Sequence, residues 1–324
     1  MPSPRFLVFN LLLLSCLAFF IFGMYDADSK VNIPESSTNI IANSNEYLNA
    51  TINEFEIDLR YENNSQGVFL LPISDDGLQN DKVASSAEVT TSASAIYDVV
   101  SSQFIFTNNV DKRLPIASIT KLMSAIVILE NSYSSESINI KPEYLNVDGD
   151  GADLAAYESL SRDDLLSIML IGSINDAALA FSGHLKLKNI DIVDKMNEKA
   201  TEIGMMNTKF YDPAGLDDSG YSTARDLVKL VKYVNNYPLI WEKLRLPRFT
   251  AKSLDGKVLH TVINTNKLLG VVPEIVGGKT GFTDKSKGSL VLYLESNDKK
   301  IITVVIGSDD RFATTKQLLQ KWNR

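Results

Sequence analysis

Ser118-Ile119-Thr120-Lys121 sets a hydroxyl and an amine three residues apart, a spacing that brings both side chains onto one face of a helix. A seryl oxygen is a weak nucleophile until a neighbouring base takes its proton, and a lysine can do this only as the neutral amine. The run SITKLMSAIVILEN is apolar around most of its circumference, so the helix it forms is expected to be buried. Loss of hydration disfavours an ammonium, which lowers the pKa of Lys121 and makes it available as a base. Ser118 also sits near the helix N terminus, where N–H groups and the helix dipole favour developing negative charge. The same spacing at Ser296 and Lys299 falls in a polar turn and reads as solvated surface. Taken alone, Ser118 and Lys121 are read more readily as a capping serine and a lysine that snorkels.

Two further groups stand out. Ser173-Ile174-Asn175, followed by Asp176-Ala177-Ala178, sits in the loop that leaves the apolar segment LLSIMLIG; polar residues there either cap a helix or line a cleft. Gly277-Gly278-Lys279-Thr280-Gly281-Phe282-Thr283 combines glycines, which let a substrate backbone approach closely, with a cation and a hydroxyl suited to a carboxylate.

In order and spacing, Ser-x-x-Lys, Ser-x-Asn and Lys-Thr-Gly form the signature of penicillin-binding proteins and serine β-lactamases. The segments Leu114-Pro115-Ile116-Ala117-Ser118-Ile119-Thr120-Lys121-Leu122-Met123, Asp212-Pro213-Ala214-Gly215-Leu216-Asp217, Tyr221-Ser222-Thr223-Ala224-Arg225-Asp226 and Asn264-Thr265-Asn266 narrow the match. Together they resemble the serine-type D-Ala-D-Ala carboxypeptidases, the low-molecular-mass penicillin-binding proteins, from about Ala95 to Arg324. The resemblance implies an α+β fold of the β-lactamase/transpeptidase type, with an antiparallel sheet flanked by helices. It also implies a peptidoglycan stem peptide ending in D-Ala-D-Ala as substrate, β-lactams as covalent inhibitors, and no cofactor or metal. By the same resemblance Ser118 attacks, Lys121 takes the proton, Ser173 relays a proton to the departing amine and Asn175 holds the substrate amide and Lys121. Lys279 and Thr280 bind the terminal carboxylate, and the backbone N–H groups of Ser118 and Phe282, the latter just past Gly281, form the oxyanion hole. Arg311, after the last strand, would add charge for the carboxylate, against a plain reading as a surface arginine.

Two features depart from the family pattern. Ile174 is a bulky β-branched residue where a small one is usual, which questions substrate clearance. The chain is also expected to lack the carboxyl-terminal β-domain and amphipathic anchor of many relatives. A class A β-lactamase needs a deacylating Glu after its second motif, and no Glu lies between Glu202 and Glu242. An inactive peptidoglycan-binding protein of the same fold would have no need of a base beside its hydroxyl.

Positioning these groups requires strands at both ends of the domain. Ala95–Val100 and Gln103–Phe106 read as a hairpin around Ser101-Ser102, and Ser289–Glu295 and Ile301–Gly307 as another around Ser296-Asn297-Asp298. Between them lie the helix after Pro115, one from Ser161 with a capping box to Asp164, an amphipathic one over Asp191–Ile203 stopped by Gly204, and one over Thr223–Asn236 ended by Pro238. A last helix covers about Phe312–Trp322. This order predicts one α+β domain over residues 95–324 whose first and last strands share a sheet.

The chain has 324 residues, 44% of them hydrophobic and 22% charged, which excludes a largely disordered protein, and its net charge of −8 leaves no basic footprint for nucleic acid. A single cysteine, Cys16, excludes a disulfide scaffold and thiolate zinc sites. With His184 and His260 the only histidines, a His-rich metal centre and a zinc-peptidase motif are also excluded. Residues 1–24 carry the run FLVFNLLLLSCLAFFIFGM, long enough to cross a bilayer and without an Ala-x-Ala cleavage site. An uncleaved anchor is therefore expected, with Arg5 on the cytoplasmic side and the catalytic domain extracytoplasmic. Residues 25–94 read as a polar linker with short strands near 55–73 and sequons at Asn49 and Asn63 that match by chance composition. Asn146–Gly151 resembles the start of a calcium loop, but its twelfth position is Tyr157, and it reads as an acidic turn.

Overall fold

A computed structural model describes residues 91–145, 152–296 and 299–322. The apolar run, the linker up to residue 90 with its strands and sequons, and the acidic turn at 146–151 lie outside them. Among the described residues no helix is long and apolar enough to cross a membrane.

The first strand, β1 (Thr91–Asp98), pairs on one side with β2 (Gln103–Asn108), forming the expected hairpin, and on the other with the last strand. It begins at Thr91, inside the stretch read as linker. The residues TSASA hide a strand because most of β1 is buried on both faces, so the alternation that marks a half-exposed strand is missing. A short 3₁₀ turn (Ala117–Thr120) leads into α1 (Lys121–Asn131), which is buried from Lys121 to Ile128 as its all-round apolar pattern demands. The short strands β3 (Ser137–Asn139) and β4 (Ser159–Ser161) pair with each other, and α2 (Arg162–Ile171) follows. Its cap is the expected one: Ser161 accepts from the Asp164 N–H at 3.0 Å.

The next helices are α3 (Asn175–Lys186), α4 (Ile192–Glu202) and α5 (Ala224–Val234). Asp191 and Thr223 cap α4 and α5, and Gly204 leaves α4 with φ +78, the left-handed exit that glycine permits. Helix α3 corrects the loop reading of Asn175 to Ala178. Pro238 does follow the end of α5, but it also opens a helix of its own, α6 (Pro238–Leu244), since the first helical position needs no N–H. A two-stranded hairpin, β5 (Arg248–Lys252) with β6 (Leu259–Ile263), leads to β7 (Ile275–Thr283), β8 (Lys287–Ser296) and β9 (Lys299–Ser308). Helix α7 (Arg311–Trp322) comes last.

The main sheet is antiparallel in the order β2-β1-β9-β8-β7, so the first and last strands share it as expected. One face joins a large core that includes Leu122, Ile126, Met169, Phe181 and Val304; the other packs Leu292 and Val305 on Leu318 of α7. Strand β7, read from sequence only as an approach to the hairpin, is the sheet's edge. Its three glycines carry little strand propensity; pairing with β8 along its length supplies what the residues lack.

Glu136 ties the loop after α1 to the end of α3, with Lys188 Nζ and His184 Nε2 each 2.6 Å from Oε2. Burial alone would raise its carboxyl, but Lys188, the Tyr133 N–H and His184 outweigh burial and hold it at about 2. A carboxyl depressed in the folded state stabilises the protein above its unfolded pKa near 4.5, and the contribution is lost as pH falls toward about 2. Glu136→Gln is therefore expected to lower unfolding free energy at pH 7 by on the order of 1–2 kcal/mol. In urea unfolding, the gap from wild type should close across that acid window.

Candidate active site

Two backbone positions with left-handed geometry flank the site. Ala117 has φ +47 immediately before Ser118, and Ser173 has φ +62. Neither is glycine, and such residues cost on the order of 1–3 kcal/mol unless the surroundings over-determine them. Ser118 emerges half-buried from the 3₁₀ turn, and Lys121, at the first turn of α1, is completely buried. The Lys121 Nζ lies 2.9 Å from Ser118 Oγ, 2.6 Å from Asn175 Oδ1 and 2.8 Å from the Ala214 carbonyl oxygen. Burial pushes the ammonium down to about 7, a fall that the negative charge of Asp212 partly offsets.

The three partners decide where the proton can go. Asn175 Oδ1 and Ala214 O can only accept. A neutral amine has two hydrogens and one lone pair, so its hydrogens go to the two carbonyls and its lone pair faces the seryl hydroxyl. The geometry therefore suits removal of a proton from Ser118.

The edge strand supplies the opposite wall. Lys279, also fully buried, places Nζ 2.7 Å from Ser173 Oγ and donates to the Thr280 carbonyl at 3.0 Å. Burial holds its pKa well below the lysine range, and the charges of Lys121 and then Arg311 push the same way. Thr280 Oγ1 is 2.6 Å from the hydroxyl of Thr265. At Gly281 the strand touches the nucleophile's turn: a Cβ there would stand 2.6 Å from Ile116 O and 3.2 Å from the Ser118 nitrogen. The next residue, Phe282, is 56% exposed at the rim.

Arg311 opens α7 half-buried, with its guanidinium 4.8 Å above the Phe312 ring and its Nε buried without a hydrogen-bond partner. It is thus not a plain surface arginine, and its charge reaches Lys279. Ile174 is 3% exposed and packs into the core beside Gly172. Its bulk points away from solvent, which removes the clearance problem expected from its size. Ser118, Lys121, Ser173, Asn175, Lys279 and Thr280 are thus brought together in one cluster of hydrogen bonds and close contacts. Sequence reasoning assigned no role to Ala214, Asp212 or Thr265. Asp212-Pro213-Ala214-Gly215 carries a turn signal, but nothing in it says that a carbonyl will face an amine. The described residues hold no cluster of His, Cys, Asp and Glu able to bind a metal.

A serine hydroxyl 2.9 Å from a buried lysine amine, in a turn packed against the edge strand of an antiparallel sheet, is the arrangement of an acyl-transferring serine enzyme. Residues 80–310 match the family model for peptidase S11, D-alanyl-D-alanine carboxypeptidase, and the chain belongs to that family. It is 34% identical over 236 residues to a D-alanyl-D-alanine endopeptidase of Haemophilus influenzae, covering 70% of this chain and 80% of that one. It is 29% identical to the D-alanyl-D-alanine carboxypeptidase DacF of Bacillus subtilis, covering 63% of this chain and 54% of the relative. Among solved structures, ampicillin-bound penicillin-binding protein D2 of Listeria monocytogenes superposes with a TM-score of 0.64 at 29% identity, over 72% of this chain and 98% of that one.

With Lys121 as base, acylation by a fluorescent penicillin is expected to rise with pH through about 7, where burial brings the ammonium. Lys121→Ala should slow it by about 10²–10⁴-fold, measured as labelling rate. Gly281→Ala forces β7 away from the 3₁₀ turn; an acylation rate at least tenfold slower, with a stability loss of about 1–3 kcal/mol in denaturant unfolding, is expected.

Proposed function

We propose that this chain is a penicillin-sensitive D,D-carboxypeptidase that removes the terminal D-Ala from peptidoglycan stem peptides. The observation that carries the reading is the buried Lys121 amine, hydrogen-bonded to two carbonyls and 2.9 Å from Ser118 Oγ. In this reading Ser118 Oγ attacks the carbonyl carbon of the penultimate D-Ala while Lys121 takes its proton. The resulting oxyanion is held by the Ser118 and Phe282 N–H groups, a kind of contact worth about 3 kcal/mol per donor. As the tetrahedral intermediate collapses, Ser173 relays a proton to the departing amine and D-Ala leaves. Water then hydrolyses the ester on Ser118, and Asn175 holds the substrate amide throughout. Lys279, Thr280 and Arg311 meet the terminal carboxylate, whose negative charge relieves the repulsion among Lys121, Lys279 and Arg311.

A second reading, a D,D-endopeptidase, uses the same attack and differs in the leaving amine, which belongs to a second stem peptide. The 34% identity to an endopeptidase over most of its length favours it. The apolar run 6–24 would tether either enzyme to the cytoplasmic membrane with the catalytic domain on the outer side, where peptidoglycan lies.

The test is twofold. Covalent labelling by a fluorescent penicillin should disappear in Ser118→Ala, and labelling that survives removes Ser118 from its role. Wild-type enzyme should release D-Ala from a pentapeptide muropeptide; conversion of cross-linked dimers to monomers without that release establishes the endopeptidase instead.

A further inference from the structure

The two carbonyls that hold Lys121 are fixed in different ways. Asn175 belongs to the buried first turn of α3. Ala214 lies in the loop between α4 and α5 with no regular structure around it, and what shapes that loop is Asp212. Its Oδ1 accepts the N–H groups of Ala214 at 2.7 Å and Gly215 at 2.6 Å, and its Oδ2 accepts that of Asp217 at 2.8 Å. The turn closes on the nucleophile. Gly215 has φ +80, and a Cβ there would stand 2.0 Å from the Ala117 carbonyl oxygen. From α1, Ser124 Oγ donates to Pro213 O at 2.6 Å.

We propose that Asp212 is a positioning residue for acylation: it folds the 212–217 loop so that the Ala214 carbonyl takes one hydrogen of the Lys121 amine and leaves its lone pair directed at Ser118. This rests on Lys121 being the base. Without that carbonyl, only Asn175 constrains rotation of the amine about its last bond.

The carboxylate has a second consequence through its charge. Among the described residues Asp212 makes no ion pair; its three partners are backbone N–H groups, which leave the charge intact. The charged groups around the two residues are Lys279 from β7, with Arg311 of α7 acting on Lys279, and Lys209, Asp217 and Asp218, which line the same small pocket as Asp212. Negative charge at Asp212 favours the ammonium form of Lys121 against burial. It therefore keeps the acid limb of acylation at higher pH than an uncharged side chain would.

The experiment compares full-length wild type, Asp212→Asn, Asp212→Ala and Lys121→Ala, measuring second-order acylation by a fluorescent penicillin from pH 5 to pH 9 alongside thermal unfolding. Asp212→Asn keeps an acceptor for Ala214 and Gly215 but loses the charge. Its plateau should stay within a few-fold of wild type, and its acid limb should move to lower pH by roughly one pH unit. Asp212→Ala loses all three hydrogen bonds, and its plateau should fall by at least about tenfold. A plateau in Asp212→Ala within twofold of wild type overturns the positioning role, and an acid limb unmoved in Asp212→Asn overturns the charge effect. If Asp212→Ala does not fold, Asp212→Glu takes its place, since it keeps the charge while displacing the turn: a lower plateau with the acid limb unmoved supports the proposal, and a wild-type plateau overturns it. Wild-type acylation in Lys121→Ala is read separately, because it overturns the base assignment itself.

Discussion

A primary amine without water is an unstable thing to place in a protein core unless it can shed its charge or is fully partnered; burial brings Lys121 down to about 7, and three partners surround its Nζ. Helix α1 removes it from solvent; Asn175 and Ala214, from two other parts of the chain, take its hydrogens. What remains is a lone pair facing a hydroxyl. The positive φ of Ala117 and Ser173 and the close approaches at Gly215 and Gly281 all serve this arrangement, because each brings a separate backbone segment within reach of the same few atoms.

A second buried lysine a short distance away makes the site more demanding. Burial and then the charge of Lys121 disfavour an ammonium at Lys279, and Arg311 adds to the pressure. Partners separate the two amines' roles. Lys121 is committed to two carbonyls and the nucleophile, whereas Lys279 contacts a hydroxyl and a strand carbonyl at the open edge of the sheet.

Legibility in the sequence followed burial and periodicity. The all-round apolar pattern of SITKLMSAIVILEN announced a buried helix, and α1 is one; Ser161, Asp191 and Thr223 marked helix starts, because a cap is a local interaction among residues a few places apart. Strand β7 and helix α3 were harder. Glycines and a lysine do not look like a strand, and Asn175-Asp176 after a glycine looks like a loop. In both cases packing against neighbours distant in sequence overrode local preference. Ile174 shows the same limit: its size was visible, but not that its side chain turns inward.

The sequence by itself placed Ser118 and Lys121 three residues apart, close enough for hydroxyl and amine to meet, and its composition determined burial of the helix that Lys121 opens. The order of the three motifs likewise determined which family the chain resembles. Only the tertiary structure decided how the amine is oriented. Its anchors, Asn175 and Ala214, stand 54 and 93 residues away, and a hydrogen bond between such distant points exists only once the whole chain has packed.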